Sequence, residues 1–236
     1  MKLGISGTYS SGKTLTSIAL SHYTGVPRTM ARTMREILPE AAPGKTLEEC
    51  TAAELLQMIV VRHTERVAHE RALSLGSFIS DGSSLQEWIY GAIRVQVGIN
   101  PNASIHLGEQ DVDKTAELKF FEEVMERLGV SLKLHVQQSF DAFVHLKNEL
   151  PLAKDGHRPV NERFRTLADE TLLRTLDELG MPVHIIGGDI EERLETIADR
   201  FGFTPVMTPR QAIDKARSEY KGIDIRDEKE RALAAA

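Results

Sequence analysis

The chain has 236 residues, with 29 Lys and Arg against 35 Asp and Glu, so its formal net charge is −6. This acidic balance argues against sequence-independent nucleic-acid binding, which depends on neutralising phosphates. The sequence has no run of about 18 uncharged apolar residues, as a membrane-spanning helix would need, and no N-terminal signal-peptide pattern. Its single cysteine, Cys50, excludes an intrachain disulfide and suits a reducing compartment. We expect a cytoplasmic globular protein with neither a membrane nor a nucleic-acid partner.

The first part of the chain predicts a strand, a turn and a helix. Residues 2–6 are a short apolar run that ends in a Gly/Ser-rich turn, and residues 13–23 then place apolar side chains at helical spacing. Residues 26–28 predict a second short strand. A short helix is predicted over 29–38, and Pro39 should end it.

A long helix and a second buried strand are predicted next. The helix covers 46–75, where Thr46 and Glu49 have the spacing of a capping box. Residues 77–81 then predict a strand, and residues 85–97 predict a further helix.

The second half of the chain continues to alternate between helices and strands. Its predicted elements are a loop over 98–108, helices over 112–128 and 130–138, a strand over 141–146, a helix over 162–179, a strand over 183–187 and a helix over 189–201. Such alternation favours an α/β fold with a largely parallel sheet. We expect one domain over 1–207, followed by a charged tail over 208–236 that is loosely packed or disordered.

One motif after the first strand indicates nucleotide binding. The segment GTYSSGKT matches the phosphate-loop pattern G-x-x-x-x-G-K-[ST]. Its glycines let successive N–H groups face a phosphate chain, and the helix that follows adds its positive end. Lys13 can reach the β- and γ-phosphates, and the Thr14 hydroxyl can bind Mg²⁺. The nucleotide-binding residues are therefore predicted to be Gly7, Thr8, Tyr9, Ser10, Ser11, Gly12, Lys13 and Thr14.

Asp81 is the next candidate, because it ends the predicted strand over 77–81. The carboxyl ends of parallel strands meet at the ligand crevice. Asp81 could therefore accept a proton from an acceptor hydroxyl, or hold magnesium through water. The alternative is that the Asp81-Gly82 pair only opens a turn.

Three arginines lie close together in the segment DGHRPVNERFR over 155–165. Phosphoryl transfer needs cations over the migrating group, and a mobile arginine-containing lid over about 153–166 would also exclude water. Arg158 and Arg163 are favoured over Arg165 for this role. The alternative is a solvated helix start with surface ion pairs.

The order of these motifs resembles the P-loop small-molecule kinases of the nucleoside and nucleotide kinase branch. More narrowly, it resembles the AAA-type ATPase-like family that includes the ribosylnicotinamide kinase domain of the NAD-biosynthesis regulator. Four stretches carry the likeness: GISGTYSSGKT at 4–14, FISDGSS at 78–84, DAFVHL with its DGHRPVNERFR follow-on, and VHIIGGDIEERLETI at 183–197.

The resemblance implies a five-stranded sheet in the order 2-3-1-4-5, with the arginine lid after the fourth strand. It also implies Mg-ATP as the phosphoryl donor, with Gly188 and Asp189 lying beside the adenine. The sequence departs from the usual pattern at Gly82, where related kinases place an arginine after the acidic residue.

The acceptor side is expected to lie in the helical regions over about 29–75 and 85–138. Arg32, Arg35 and Glu36 follow the predicted second strand, where such kinases bind the acceptor, and Trp88 could stack on a base or sugar. The alternatives are a solvated basic face and a core tryptophan. Arg62, Arg66 and His69 lie along one side of the predicted long helix. This side could face the acceptor cleft, but a solvent-exposed side is favoured.

These observations predict an ATP- and Mg²⁺-dependent phosphotransferase that acts on a small molecule, with a nucleoside or nucleotide-like acceptor favoured. Lys13, Asp81, Arg158 and Arg163 would be catalytic, and Thr14 and Asp81 would hold the metal. The alternatives are a switch or NTPase that works through a protein partner, and a nucleotide binder without turnover. The sequence leaves open which acceptor is used and whether the long helix covers the site or forms a homodimer.

Overall fold

The computed structural model describes residues 1–101, 112–152 and 161–222. Four parallel strands form its sheet, in the order β2-β1-β3-β4. The strands are β1 (Lys2–Ser6), β2 (Phe78–Asp81), β3 (Ala142–Leu146) and β4 (Val183–Ile186). The helices are α1 (Lys13–Thr24), α2 (Met34–Ala41), α3 (Ala52–Leu73), α4 (Ser84–Val97), α5 (Ala116–Ser139), α6 (Glu162–Glu178), α7 (Ile190–Phe201) and α8 (Pro209–Tyr220).

The predicted fifth strand is reduced to a single bridge, so the expectation of five strands is wrong. Arg28 forms one isolated parallel bridge with Ile79 of β2. The Thr29 N–H donates to the Ile79 carbonyl, and the Ile79 N–H donates to the Pro27 carbonyl, both at 2.9 Å. The segment therefore lies at the sheet edge where strand 2 was expected. Because Pro27 has no N–H to donate, the pairing does not extend through it.

Pro39 and the long predicted helix also behave differently from expectation. α2 begins at Met34 and continues past Pro39 to Ala41, so the proline removes one helical hydrogen bond without ending the helix. The Thr46 and Glu49 capping box starts a short 3₁₀ turn over Leu47–Glu49. α3 begins later, behind a second capping box formed by Thr51 with Glu54.

A single helix, α5, replaces the two predicted over 112–138. Gly129 lies inside it and does not interrupt it. A Cβ at this position would lie 2.6 Å from Nε1 of Trp88, so the glycine lets the indole of α4 pack against the backbone of α5.

The tail is better packed than expected over 209–220. This segment forms α8, with Pro209 in its first turn. Ala212, Ile213 and Ala216 are buried against α1 in the core on one face of the sheet. Charged residues elsewhere on α8 hide this short apolar stripe in the sequence. The rest of the expected tail, 223–236, lies outside the described residues.

Helices cover both faces of the sheet. On one face, α1, α7 and α8 pack against alternate strand residues such as Ile5 and Val144. On the other, α4 and α6 pack against Phe78 and Phe143. Among the described residues, no helix has the length and apolar character needed to cross a membrane. The carboxyl ends of β1 and β2 open together at one edge, which positions the candidate site.

Candidate active site

The loop between β1 and α1 is curled by residues with positive φ. Gly7, Ser10 and Gly12 have φ values of 138°, 61° and 86°, in the left-handed half of conformational space where glycine is favoured. Gly12 precedes α1 and makes no side-chain capping hydrogen bond. The first N–H groups of α1 therefore face the loop without a side-chain cap, which is the usual arrangement of an anion-binding helix N-terminus.

Two side chains at the end of the loop, Lys13 and Thr14, are held by polar contacts. Lys13 Nζ donates to the Thr8 carbonyl at 2.6 Å, so the ammonium group lies over the loop. Thr14 Oγ1 donates to Asp81 Oδ2 at 2.7 Å. This second contact forms because Asp81 ends β2, which pairs with β1. The hydroxyl and carboxylate predicted to serve a metal are thus in direct contact.

Residues far away in the sequence support the loop from outside. Gln86 Nε2 donates to the Gly7 carbonyl at 2.7 Å, and Gln86 Oε1 accepts from the Ser83 N–H at 3.0 Å. Arg193 donates to the Ser11 carbonyl at 2.9 Å. Because both polar atoms of Gln86 have backbone partners, this side chain fixes the loop.

A cavity of about 570 Å³ adjoins the phosphate loop. Its lining includes Lys13, Thr14 and Asp81 together with Arg62, Glu87 and Tyr90. Its apolar walls include Leu47, Leu150, Pro151 and Leu152. A volume of this size suits a small organic molecule.

The floor of the cavity is a buried ion cluster. Glu87 Oε1 lies 3.1 Å from Nε of Arg62 and 3.2 Å from a terminal nitrogen of Arg66. Arg66 and Glu87 are only 1% and 2% exposed. Burial opposes ionisation of Glu87, but the charges of Arg62 and Arg66 hold its pKa below the usual value. The carboxylate is therefore ionised in spite of its burial.

Arg66 also links this floor to β2. It donates to the Asp81 carbonyl and to Ser80 Oγ, each at 3.0 Å. Burial disfavours its charge, but Glu87 and Glu70 keep its pKa raised. The backbone at Asp81 is thus held by the same cluster that forms the cavity floor.

Comparison with known families identifies the family to which this architecture belongs. The sequence model of the AAA domain family matches residues 2–193, which include the phosphate loop, Asp81 and the whole sheet. The chain belongs to the AAA domain family. A search of curated proteins finds no match.

Solved structures show where else this fold of the AAA domain occurs. Deoxyadenosine kinase from M. mycoides with bound dATP matches with a TM-score of 0.58 and 17% identity, over 86% of this chain and 99% of that one. The same enzyme with dCMP as product and a flexible dCDP matches with a TM-score of 0.52 and 15% identity, over the same shares. At this identity, the likeness establishes a common P-loop kinase fold.

Of the four residues predicted to bind the acceptor, Arg35 is the one that lines the cavity of this AAA domain. Arg32 instead pairs with Glu65 at 2.6 Å and with Glu40 at 2.7 Å, outside the cavity. Because these acidic partners lie on α3 and α2, Arg32 joins the two helices.

Two further acceptor predictions have structural roles. Glu36 Oε2 accepts from the N–H and hydroxyl of Thr33, which completes the cap of α2. The Trp88 indole donates to the Met125 carbonyl at 2.7 Å, and Lys133 lies 4.6 Å from its ring centre. Trp88 thus packs between α4 and α5.

The remaining predicted residues lie on α6, at the start of α7 or beyond the described ranges. Arg163 is in the first turn of α6 and half-buried, whereas Arg158 lies outside the described residues. The Gly188 N–H donates to Glu149 at 2.9 Å. Asp189 caps α7. The adenine contact implied for Gly188 and Asp189 stays a prediction.

The groups that form the cavity floor are not among the residues that the sequence predicts to bind the acceptor. Arg62 and Arg66 are one helical turn apart, a spacing that in the sequence favours a solvent-exposed face. The buried acid that pairs with both of them, Glu87, is on α4. Its position, six residues after Asp81 on a helix whose only other charged residue is Arg94, is the signal that could identify it.

Proposed function

We propose that this AAA domain is a Mg-ATP-dependent phosphotransferase that acts on a small molecule. A nucleoside or nucleotide-like metabolite is the favoured acceptor. The observation that carries the proposal is the contact between Thr14 and Asp81 in the lining of the cavity. It brings the phosphate loop, a carboxylate and a space for an acceptor together in one place.

The residues present fit Mg-ATP. The curled backbone of the loop and the uncapped start of α1 suit a triphosphate. Thr14 and Asp81 supply the hard oxygen ligands that magnesium prefers, directly or through water. Among the described residues, no group of three or more His, Cys, Asp or Glu side chains could hold a metal ion, so phosphate oxygens and water would complete its coordination. When bound, Mg-ATP would supply the phosphoryl group and neutralise part of its charge.

The protein's own groups would then position the reaction. Lys13 would leave the Thr8 carbonyl and follow the negative charge on the transferred group. Asp81 is already hydrogen-bonded to the predicted magnesium ligand, which favours a role in holding the metal over a role as proton acceptor. Arg35 on the cavity wall and the apolar residues 150–152 would hold the acceptor and limit the access of water.

Asp81→Asn tests this proposal. We expect a loss of phosphoryl transfer of about 100-fold or more, together with a higher Mg²⁺ concentration for half-maximal rate. The assay supplies ATP with pooled nucleosides and nucleotides and detects, by mass spectrometry, a product that gains one phosphate. Asp177→Asn, at an exposed position on α6, is the matched control.

Each outcome of this assay has a distinct meaning. A lower rate with an unchanged Mg²⁺ requirement would assign Asp81 to proton transfer instead. ATP hydrolysis that every acceptor leaves unchanged would indicate an NTPase or switch and overturn the kinase proposal. Tight ATP binding without product or hydrolysis would indicate a nucleotide binder.

A further inference from the structure

Buried polar atoms without partners are concentrated at the cavity floor. Within the described residues, seven buried side-chain nitrogen and oxygen atoms lack a hydrogen-bond partner, and four of them belong to this floor. They are Arg62 Nε, Arg66 Nε, Glu87 Oε2 and the Tyr90 hydroxyl. Native proteins satisfy nearly all such groups, so a cluster of exceptions in a cavity indicates a place where a ligand binds.

Three of these four residues, Arg62, Glu87 and Tyr90, line the cavity. Glu87 uses Oε1 for both arginines, which leaves Oε2 as an acceptor. Arg62 Nε is within ion-pair distance of Glu87 at 3.1 Å, but its N–H is not aligned for a hydrogen bond. Each unpartnered atom exposes less than 1 Å², so small side-chain rotations are needed before a bound molecule reaches it.

Tyr90 is held in place by its neighbours. Its ring stacks on Tyr9 of the phosphate loop, with ring centres 4.4 Å apart. Burial raises the pKa of Tyr90 well above its ordinary value, and the neighbouring Tyr9 and Glu87 act in the same direction. The hydroxyl therefore keeps its proton and can donate or accept a hydrogen bond.

The charges on this floor cancel. Arg62 carries one positive charge and Glu87 one negative charge, and behind them Arg66 faces Glu87 and Glu70. A phosphate at this floor would meet the unpartnered carboxylate oxygen of Glu87, and the two arginines of the floor already pair with that carboxylate. A neutral group with both donors and acceptors on its edge would satisfy all three side chains.

We propose that Arg62, Glu87 and Tyr90 form a recognition subsite for the uncharged end of the acceptor, such as the edge of a nucleobase, and that this end carries no phosphate. This inference rests on the proposed function, because it assigns the cavity to the acceptor. The hydroxyl that receives the phosphate would then lie at the other side of the cavity, next to Lys13 and Asp81.

Tyr90→Phe separates a recognition role of the hydroxyl from a structural role. If the hydroxyl stabilises the fold, its removal should lower the midpoint of thermal unfolding and leave acceptor affinity unchanged. If it is unpartnered and recognises the acceptor, the two effects differ from this. Removing a buried hydroxyl without a partner should raise the midpoint of thermal unfolding. Removing a recognition group should weaken acceptor binding by about 3- to 10-fold, as expected for one neutral hydrogen bond. We expect both effects together, with unchanged affinity for the nucleotide donor.

The measurement is calorimetric titration of the full chain saturated with Mg²⁺ and a non-hydrolysable ATP analogue. The probes are adenosine, guanosine, cytidine and uridine, each compared with its 5′-monophosphate. We expect at least one nucleoside to bind more tightly than its monophosphate and to lose affinity in Tyr90→Phe. Tyr23→Phe, which changes a core tyrosine away from the cavity, is the control.

Two results would overturn the subsite: equal affinity of every bound probe for Tyr90→Phe and the wild type, or binding of none of the eight probes. A lower unfolding midpoint with unchanged affinity would assign the hydroxyl to a structural water. A nucleoside that binds in the expected way but gains no phosphate from ATP would refute the kinase proposal and leave the subsite standing.

Discussion

The two sides of the cavity are constructed in different ways. The proposed donor side comes mainly from one continuous segment, Gly7–Thr14, with Asp81 from the neighbouring strand. The proposed acceptor side combines Arg35 of α2, Arg62 of α3 and Tyr90 of α4, which no short motif connects. The donor side is thus set by local backbone geometry, whereas the acceptor side depends on how three helices pack.

This difference shows which part of the site can vary among chains with the same fold. The loop needs small residues, one lysine and one hydroxyl at fixed spacing, since its contacts are largely made by its own backbone. The cavity floor needs complementary charges on separate helices, such as Arg66 on α3 and Glu87 on α4. A single change in a helix can alter the floor without touching the loop.

The largest expected effect is on the donor side. Lys13→Ala should lower phosphoryl transfer by about 100- to 1,000-fold, because it removes the cation that meets the developing charge. Unfolding by urea should change little, since Lys13 is only half-buried and its ammonium group lies over the loop. Steady-state kinetics with saturating ATP measures the effect, and Lys215→Ala on α8 is the control. A loss below 10-fold would show that Lys13 does not stabilise the charge on the transferred group.

The next effect is on stability and concerns the acceptor side. Glu87→Leu leaves Arg66 buried without its main counter-charge and should lower the free energy of unfolding by about 3–5 kcal/mol. The double change Arg66→Met/Glu87→Leu should recover most of that loss, because it removes both charges. Urea denaturation of the three proteins measures the difference. Equal losses in the single and double variants would contradict the pairing.

The same pair predicts a pH dependence. Since folding lowers the pKa of Glu87, its contribution to stability is complete above its ordinary pKa of 4.5 and is lost as the pH falls below that value. Glu87→Gln should therefore flatten the fall in stability on the acid side. An unchanged acid limb would mean that other carboxylates govern it.

The smallest effect separates two neighbouring arginines. Arg32→Ala removes exposed ion pairs, each worth about 0–1 kcal/mol, and should change the acceptor KM by less than about 3-fold. Arg35→Gln changes a buried residue on the cavity wall and should raise that KM by about 10-fold. Equal effects of the two substitutions would place Arg32 in the site after all.

The elements around the phosphate loop could be predicted from the sequence because their signals are local. A strand, a Gly-rich turn and a helix occupy consecutive residues, so their spacing alone brings Lys13 and Thr14 together. Elsewhere, tertiary packing overrode the local signal. Gly129 indicated a helix break but serves the close approach of Trp88, and Pro39 indicated an end but lies inside α2.

The cavity floor could not be predicted from the sequence for a related reason. Arg66 has the polarity of a surface residue, and its burial becomes favourable only when Glu87 arrives from another helix. Arg32 and Arg35 looked equivalent at three residues apart, yet only the packing of α2 on α3 directs Arg32 to Glu65. Such ion pairs depend on how the helices pack, and they produce no periodic pattern in the sequence.

The C-terminal helix α8 also contributes to the cavity. It lies beyond residue 193, where the family match ends, yet its last residue, Tyr220, lines the cavity. Its neighbour Glu219 is fastened to Arg28 at the sheet edge and to His22 of α1. A helix beyond the matched segment thus contributes to the cavity wall. A substitution confined to α8 can therefore change the shape of the cavity without changing any residue of the phosphate loop.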